Sequence, residues 1–395
     1  MDRMSRYKCY AVILFIMLSG CGGGSGESIN LEEQPANPST LPLLSSGGHI
    51  SLFKSFNAEQ PAVTDTAMQA RWNDALNQGM DVARIQVDWA DLEPQPNQYN
   101  TDLLLEELME MQQSGLQAFV LLSTIDSEGY TLPQDLSDED SGTKLVNGIQ
   151  FDDPLITTRF EKLLDWVVPM VVEYGGWVLA VGNEPGNFLM DYPEAERSVV
   201  NFLRSARRHV RTLDERLAVT MTLAYENQAM GSGFHSSLLA EVDVASYNYY
   251  AINPDLFFEG DLSTVNRELD AMLNAAGDKP VIFQELGASA GYEETDSPMN
   301  ASLNRQTDFF DAFFNRMSEE QRIRAAVVFQ LVDWDPDLVE SEYAEALRAD
   351  GLPEDMVQRF SESYETMGLI RYADGSSRPA WNRVLQAISH FSQAQ

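Results

Sequence analysis

Two glutamates stand directly after short, mainly apolar runs of this chain. Glu184 follows the run 178–181 in the sequence Gly-Asn-Glu-Pro, and Glu285 follows the run 281–284. A short apolar run that ends in a polar turn is typical of a strand buried on both faces. In a barrel of parallel strands, catalytic groups lie at the carboxyl ends of the strands. The two side chains are therefore candidates for one active site.

Two carboxyl groups are the minimum set for cutting a glycosidic bond. One protonates the departing oxygen, and the other acts from the opposite face of the sugar, either as a nucleophile or as a base for water. Neither motif is specific alone, because Asn and Glu before Pro also form an ordinary turn at a strand end. Two such glutamates at equivalent strand ends are more specific, and together they predict a glycoside hydrolase.

The apolar runs that would position these side chains recur along the chain and alternate with amphipathic segments. This alternation predicts βα units and a parallel sheet. Eight runs with helical segments between them predict a fold of the α/β class, a (β/α)8 TIM barrel in a single domain. The predicted strands are 50–53, 82–87, 116–122, 177–181, 217–223, 242–247, 281–284 and 326–331. The predicted helices are 66–78, 102–113, 154–174, 194–213, 262–276, 303–316 and 379–392.

Two connections after predicted strands are long. Residues 126–153 follow the third strand and are acidic and rich in Gly, Pro and Ser, while residues 333–364 follow the eighth and contain helical turns. Loops at this end of the strands shape substrate access, so both are predicted to form walls of a cleft. Long loops and aromatic residues favour endo action on a polysaccharide. The sequence does not distinguish an open groove from a closed pocket.

The charge of the chain bears on its partners. The 395 residues are 44% hydrophobic, and 61 acidic against 26 basic residues give a formal net charge of −35. Nucleic acids and acidic lipid surfaces attract Lys and Arg patches, so this balance argues against a nucleic-acid partner. The acidic residues are spread along the chain, which is typical of a highly soluble surface.

Cysteine and histidine are too scarce for thiol or metal chemistry. Cys9 and Cys21 both lie before residue 25, so the folded body would contain no thiol. The four histidines are far apart, with no i, i+2 or i, i+4 pairing. A metal-dependent hydrolase would instead show clustered His and Asp at strand ends. We therefore predict no metal site and no cofactor.

The N-terminus has the features of a bacterial export signal. Residues 1–20 contain a basic start, an apolar run and then small residues, and the sequence Leu-Ser-Gly before Cys21 resembles a lipobox. The resemblance implies cleavage before Cys21 and its acylation, with an ordinary signal peptide or a membrane anchor as the alternative. Gly22, in place of Asp, implies the outer membrane, with its face left open. Residues 21–46 resemble a flexible tether, and residues 47–395 form the predicted domain.

The chain resembles glycoside hydrolase clan A over residues 47–390. In that clan the acid/base is the Glu of an Asn-Glu pair that ends strand four, and the nucleophile is a Glu that ends strand seven. The resemblance implies that Glu184 is the acid/base, that Glu285 is the nucleophile and that Asn183 binds the sugar 2-hydroxyl. It also implies a retaining double displacement on β-linked glycans. The chain is similar to family 5 of the clan, but the histidines that family 5 enzymes commonly have at the ends of strands three and six are absent, so the motifs indicate the clan and leave the family open.

Further substrate-binding positions follow from the same resemblance. Arg84, within the second strand, matches an arginine that bonds the nucleophile, and Tyr250 matches a tyrosine with the same role, with Asn248 where a histidine is usual. Trp334 matches the tryptophan on which a sugar ring stacks. Trp89 resembles a residue of the loop after strand two. A barrel salt bridge and core or wall aromatics are the structural alternatives for these residues.

A second hypothesis assigns the chain to a different functional class. A carbohydrate-binding lipoprotein could use a disabled barrel of this type. Such relatives usually lose one catalytic residue, whereas this chain keeps both glutamates and the asparagine. The sequence does not indicate the sugar, the linkage or the oligomeric state.

Overall fold

The computed structural model describes residues 47–53, 65–127, 129–137, 142–226, 233–293 and 296–394. The predicted signal, the tether and Cys21 lie outside these ranges. Among the described helices, none combines the length and apolar character needed to cross a bilayer.

Eight strands, each followed by a helix, make up the framework. The strands are β1 His49–Leu52, β2 Val82–Asp88, β3 Gln117–Ser123, β4 Val178–Asn183, β5 Ala218–Ala224, β6 Ala245–Tyr249, β7 Val281–Leu286 and β8 Ile323–Val328. The helices are α1 Asp65–Asn77, α2 Asp102–Gln113, α3 Pro154–Glu173, α4 Glu196–Leu213, α5 Phe234–Ala240, α6 Leu262–Ala276, α7 Leu303–Glu319 and α8 Pro379–Gln393.

The strands are arranged as a nearly closed parallel barrel. Strands β2 to β8 pair in chain order, and β1 pairs with β8, with His49 opposite Ala325. A parallel sheet with crossover helices buries both faces of its strands. The predicted TIM barrel is therefore confirmed.

Apolar side chains fill the barrel and coat its outside. The outer layer packs the strands against the surrounding helices. The inner layer lies inside the barrel and includes Phe119, Leu121, Trp177, Val178, Ile282 and Val327, all of them buried. This packed interior fixes the strand ends, which is why side chains on different strands can form one site.

Local sequence sets where several helices begin. The Asp153 carboxylate accepts a hydrogen bond from the backbone N–H of Leu155 at the start of α3. Asp261 accepts from the N–H groups of Ser263 and Thr264 at the start of α6. These caps satisfy backbone donors that a helix cannot satisfy itself.

Both long connections are structured. The one after β3 forms a small hairpin of Ile125–Asp126 with Gly129–Tyr130, followed by a short helical turn at Val146–Gly148. The one after β8 contains helical segments at Pro336–Leu338, Val339–Ala344, Glu345–Ala349 and Glu354–Thr366. The predicted long loops after strands three and eight are thus confirmed.

Shorter helical segments complete the described structure. They lie at Trp89–Leu92 after β2, and at Gly186–Asp191 and Pro193–Ala195 after β4. The segment after β4 begins directly beyond the Asn-Glu-Pro sequence, so the polar turn predicted there connects a strand to a helix.

Candidate active site

Glu184 and Glu285 lie at the carboxyl ends of their strands, at the same end of the barrel. Glu285 is the fifth residue of β7, and Glu184 follows the last residue of β4. Each is 8% exposed. The backbone of Glu184 has a φ of +45°, a left-handed conformation that is rare for a residue with a side chain. Its N–H donates to the carbonyl of Thr222 on β5 at 2.8 Å, which holds this conformation in place.

The Glu285 carboxylate is held by two donors from different strands. Nη1 of Arg84, on β2, donates to Oε1 of Glu285 at 2.8 Å. The hydroxyl of Tyr250, directly after β6, donates to Oε2. The Arg84 guanidinium also lies 4.8 Å from the ring centre of Phe53. A buried cation and a phenol therefore fix both oxygens of this carboxylate.

The Glu184 carboxyl has neutral partners. Nδ2 of Asn248 donates to its Oε1 at 2.6 Å, and the hydroxyl of Ser127 donates to its Oε2 at 3.2 Å. Burial, followed by the negative charge of Glu285, raises the pKa of Glu184 to about 7. Electrostatic coupling of this kind requires the two carboxyl groups to be close. Glu184 therefore keeps its proton in much of the population at neutral pH.

Asn183 is fixed by hydrogen bonds on both sides of its amide. Its Oδ1 accepts from Nε2 of Gln284 at 2.7 Å and from Nδ2 of Asn248 at 3.2 Å. Its Nδ2 donates to Oδ1 of Asp126 at 3.0 Å. These bonds orient the amide and leave one of its two N–H bonds available to a ligand.

Two acidic residues at the same end of the barrel were not identified from the sequence. Burial raises the pKa of Asp126 well above its usual range, with the charge of Glu184 as the next cause. Burial also raises the pKa of Asp88 to about 7. Their positions at the ends of β2 and next to β3 could have identified them. No group of three or more His, Cys, Asp or Glu in the described ranges is arranged to hold a metal ion.

A recess opens beside Glu184 and Tyr250. Its empty volume, including the part open to solvent, is about 620 Å³. Tyr364 and Phe360, from the helix Glu354–Thr366, line one wall. The long connection after β8 thus forms a wall of the cavity. The remaining apolar lining consists of Ala224, Ile252, Leu256 and Met367.

The two predicted tryptophans lie away from this recess. Trp89 is fully buried, and its indole N–H donates to Glu93 at 2.7 Å. Glu93 also accepts from Arg159 at 2.7 Å, and Arg159 pairs with Asp135 in the connection after β3. This buried network joins the loops after β2 and β3 to α3.

Trp334 packs in the insertion after β8. Its side chain is 3% exposed, and its ring lies 4.7 Å from that of Tyr364. Tyr364 lines the recess, so the aromatic surface that reaches the cavity there belongs to Tyr364. The motif that suggested Trp334 does not include Tyr364, which is thirty residues further along the chain. It therefore could not indicate which aromatic ring lines the recess.

Comparisons with known proteins give similarity at the level of structure. No family model matches the chain, and no curated protein matches it. It superposes on a GH5_18 of Bifidobacterium longum subsp. longum, solved in complex with Manb1-4GlcNAc, with a TM-score of 0.63 and 14% identity. That alignment covers 88% of this chain and 79% of the other.

Two further structures are similar to the same extent. A GH5_18 from Streptomyces cattleya in complex with GlcNAc has a TM-score of 0.62 and 15% identity, over 88% of this chain and 81% of that one. An exo-beta-1,4-mannosidase from an Opitutaceae bacterium has a TM-score of 0.60 and 17% identity, over 88% of this chain and 60% of that one. At these identities the similarity shows a shared TIM-barrel fold.

Proposed function

We propose that this chain is a retaining glycoside hydrolase that cleaves β-linked glycans. The observation that carries the proposal is the contrast between the surroundings of two carboxyl groups at the same end of the barrel. Glu285 is held by Arg84 and Tyr250, which suits a carboxylate that attacks carbon. Glu184 is buried, with a pKa raised to about 7, which suits a group that delivers a proton.

In the first step, an oxygen of Glu285 forms a bond to the anomeric carbon. The bond from that carbon to the leaving oxygen breaks, and the electron pair goes to this oxygen. Glu184 gives its proton to the same oxygen, so the leaving group departs as a neutral alcohol. The product is a covalent glycosyl ester of Glu285 with inverted configuration at the anomeric carbon.

In the second step, water attacks the same carbon and Glu184, now ionised, takes a proton from it. The ester bond breaks, and its electron pair returns to Glu285. Two inversions restore the β configuration. Asn183, whose amide is already oriented by Gln284 and Asp126, would donate to the sugar 2-hydroxyl next to the reacting carbon.

A mechanism-based label tests this function. A 2-deoxy-2-fluoro β-glycoside with a good leaving group should form a stable ester on Glu285, because the fluorine slows both steps and the leaving group rescues only the first. Peptide mass analysis should find one added sugar on the peptide containing Glu285. A sugar attached elsewhere would contradict the assignment. Sugar binding without turnover or label would favour the alternative of a non-catalytic carbohydrate-binding protein.

For the substrate, we propose that β-mannosides be assayed first. The support is the structural similarity to an exo-beta-1,4-mannosidase and to a GH5_18 solved with Manb1-4GlcNAc.

We retain endo action as the proposed mode, because two long connections follow strands at the cavity end. The structural similarity to an exo-beta-1,4-mannosidase favours exo action instead. Products from β-mannan decide between them: endo action gives oligosaccharides of many sizes, and exo action gives one small product from the start.

We also propose that the enzyme is a lipoprotein of the outer membrane, attached through acylated Cys21. The support is the sequence around Cys21, and two or more acyl chains would give stable attachment where one would not. The full chain expressed in a Gram-negative host should fractionate with membranes, and Cys21→Ser should release it. A soluble mature protein that begins at another residue would contradict the anchor.

A further inference from the structure

A second carboxyl group lines the recess beside Glu184. Glu226 lies two residues after the end of β5, and its side chain lines the recess together with those of Glu184 and Tyr250. Its Oε1 is buried and has no hydrogen-bond partner within the described parts of the chain. A buried carboxyl oxygen without a partner is costly, which suggests that a ligand supplies the missing bond.

The environment of Glu226 favours its neutral form. Burial raises its pKa to about 8, and the charge of Glu184 acts in the same direction, whereas the backbone N–H of Tyr250 opposes both. A protonated carboxyl group is both a donor and an acceptor. It therefore matches a sugar hydroxyl, which also donates and accepts, without adding a further negative charge next to the two catalytic carboxyl groups.

The position of Glu226 relates it to the leaving group. Glu184 must reach the leaving oxygen, so the sugar that departs lies on its side of the reacting carbon. β5 pairs with β4, the strand that carries Glu184, whereas Arg84 approaches Glu285 from β2. Glu226 lines the same recess as Glu184, so a sugar bonded to the oxygen that Glu184 protonates would lie beside Glu226.

We propose that Glu226 binds a hydroxyl of the neutral sugar on the leaving-group side and thereby favours glycans over glycosides with a non-sugar leaving group. The proposal rests on the hydrolase function given above. It makes Glu226 a determinant of specificity, with no role in bond breaking.

The test compares two substrates with the same reacting sugar. One is the β-linked disaccharide that wild-type enzyme cleaves, and the other is the 4-nitrophenyl β-glycoside of that sugar, which has no hydroxyl groups on its leaving group. Glu226→Ala should lower kcat/KM for the disaccharide by about 10- to 100-fold, the usual effect of removing a buried hydrogen bond, and for the aryl glycoside by less than about threefold. Glu226→Gln keeps a donor and an acceptor and should stay within about fivefold of wild type on both.

Control variants separate sugar binding by Glu226 from a general structural effect and from an effect on the protonation of Glu184. Glu161→Ala removes a partly buried carboxyl group from α3, outside the recess, where it accepts from Ser205, and should leave both substrates unchanged. An equal loss on both substrates in Glu226→Ala would overturn the proposal. A shift of the alkaline limb of the pH profile on both substrates in Glu226→Gln would also overturn it, because Glu226 would then act through Glu184.

A binding measurement distinguishes failure of this inference from failure of the hydrolase function. In Glu285→Gln, calorimetry with the intact disaccharide should give about tenfold weaker binding when Glu226→Ala is added. Unchanged affinity would overturn the role of Glu226 even if wild type is active. A wild-type chain that binds the disaccharide through Glu226 but neither cleaves it nor takes the fluoro label would refute hydrolysis and leave the sugar contact intact.

Discussion

The two sides of the candidate active site carry the same side chain in opposite environments. On the side of β7, Glu285 accepts hydrogen bonds from the cation of Arg84 and from Tyr250. On the side of β4, Glu184 accepts from an amide and an alcohol and experiences the negative charge of Glu285. Identical residues thus have different hydrogen-bond partners, and burial together with the charge of Glu285 raises the pKa of Glu184 to about 7.

This difference explains how one cavity can hold an attacking base and a proton donor at the same pH. The charge on Glu285 contributes to the environment of Glu184, because it helps Glu184 to keep its proton. Four measurements test whether the surroundings of the two carboxyl groups differ in this way.

Removing each carboxyl group should give the largest effects. Glu285→Ala should lower kcat by about 10⁴-fold or more on every substrate, because no covalent intermediate can form. Glu184→Ala should lower it by about 10²- to 10⁴-fold on disaccharides, and far less on aryl glycosides whose leaving group needs no proton. Steady-state kinetics of both variants on disaccharides and on aryl glycosides measure this difference. If Glu285→Ala rather than Glu184→Ala were rescued by a good leaving group, the two assignments would be reversed.

Replacing the cation on the Glu285 side should give the next largest effect. Arg84→Met removes the charge and the hydrogen bond to Glu285, and kcat should fall by about 10²- to 10³-fold, as when one preorganised donor is lost. Arg211→Met, at a partly exposed ion pair with Asp243, serves as a control in which kcat should not change. Equal kinetics of Arg84→Met and wild type would show that the cation does not support the nucleophile.

Changing the neutral partner of Glu184 should move the pH profile. Glu184 must be protonated in the first step, so activity should decline as pH rises through about 7. The Asn248 hydrogen bond lowers the pKa of Glu184, so Asn248→Ala should move this alkaline limb to higher pH by about half a unit or more, with a lower maximum. A limb that stays in place, or moves to lower pH, would contradict the role of Asn248.

Replacing either glutamate by glutamine should have its smallest effect on thermal stability, and the two replacements should change Tm in opposite directions. The folded-state pKa of Glu184 is about 7 against an ordinary 4.5, so the folded chain holds a proton that the unfolded chain releases between these values. Its contribution is complete below about pH 4.5 and is lost as pH rises through about 7. Glu184→Gln should therefore have a Tm near that of wild type at pH 5 and a few degrees higher at pH 8.

Glu285→Gln provides the matched comparison. It leaves the buried guanidinium of Arg84 without its ion-pair partner, so Tm should fall at both pH values. Thermal melts followed by circular dichroism at pH 5 and pH 8 measure both variants. If the Tm values of both variants changed in the same direction at both pH values, the surroundings of the two carboxyl groups would not differ as described.

The strand pattern was readable because burial on both faces requires apolar residues. Its boundaries were less accurate. The sixth strand was predicted at 242–247 and runs from Ala245 to Tyr249, and the eighth was predicted at 326–331 and runs from Ile323 to Val328. Val242, Val244, Phe329 and Leu331 are all buried without belonging to a strand. Apolarity reports burial, whereas a strand also requires a hydrogen-bond ladder.

Local motifs were less informative about the cavity walls. Trp89 and Trp334 stand at positions that suggested contact with substrate, yet both are buried away from the recess. Tyr364 and Glu226 line it without any motif. Which side chains line the recess depends on how the insertion after β8 folds back over the barrel. The spacing of residues along the chain does not indicate how this insertion folds.

Periodic burial is a local property of the chain, so the alternation of strands and helices, and with it the position of Glu184 and Glu285 at strand ends, could be predicted from the sequence. The resemblance also indicated Arg84 and Tyr250 as donors to Glu285. The donors to Glu184, which are Asn248 and Ser127, became visible only in the tertiary structure, because both lie far from Glu184 along the chain. Protonation depends on burial and on charges within a few ångströms, and those distances exist only once the barrel has closed.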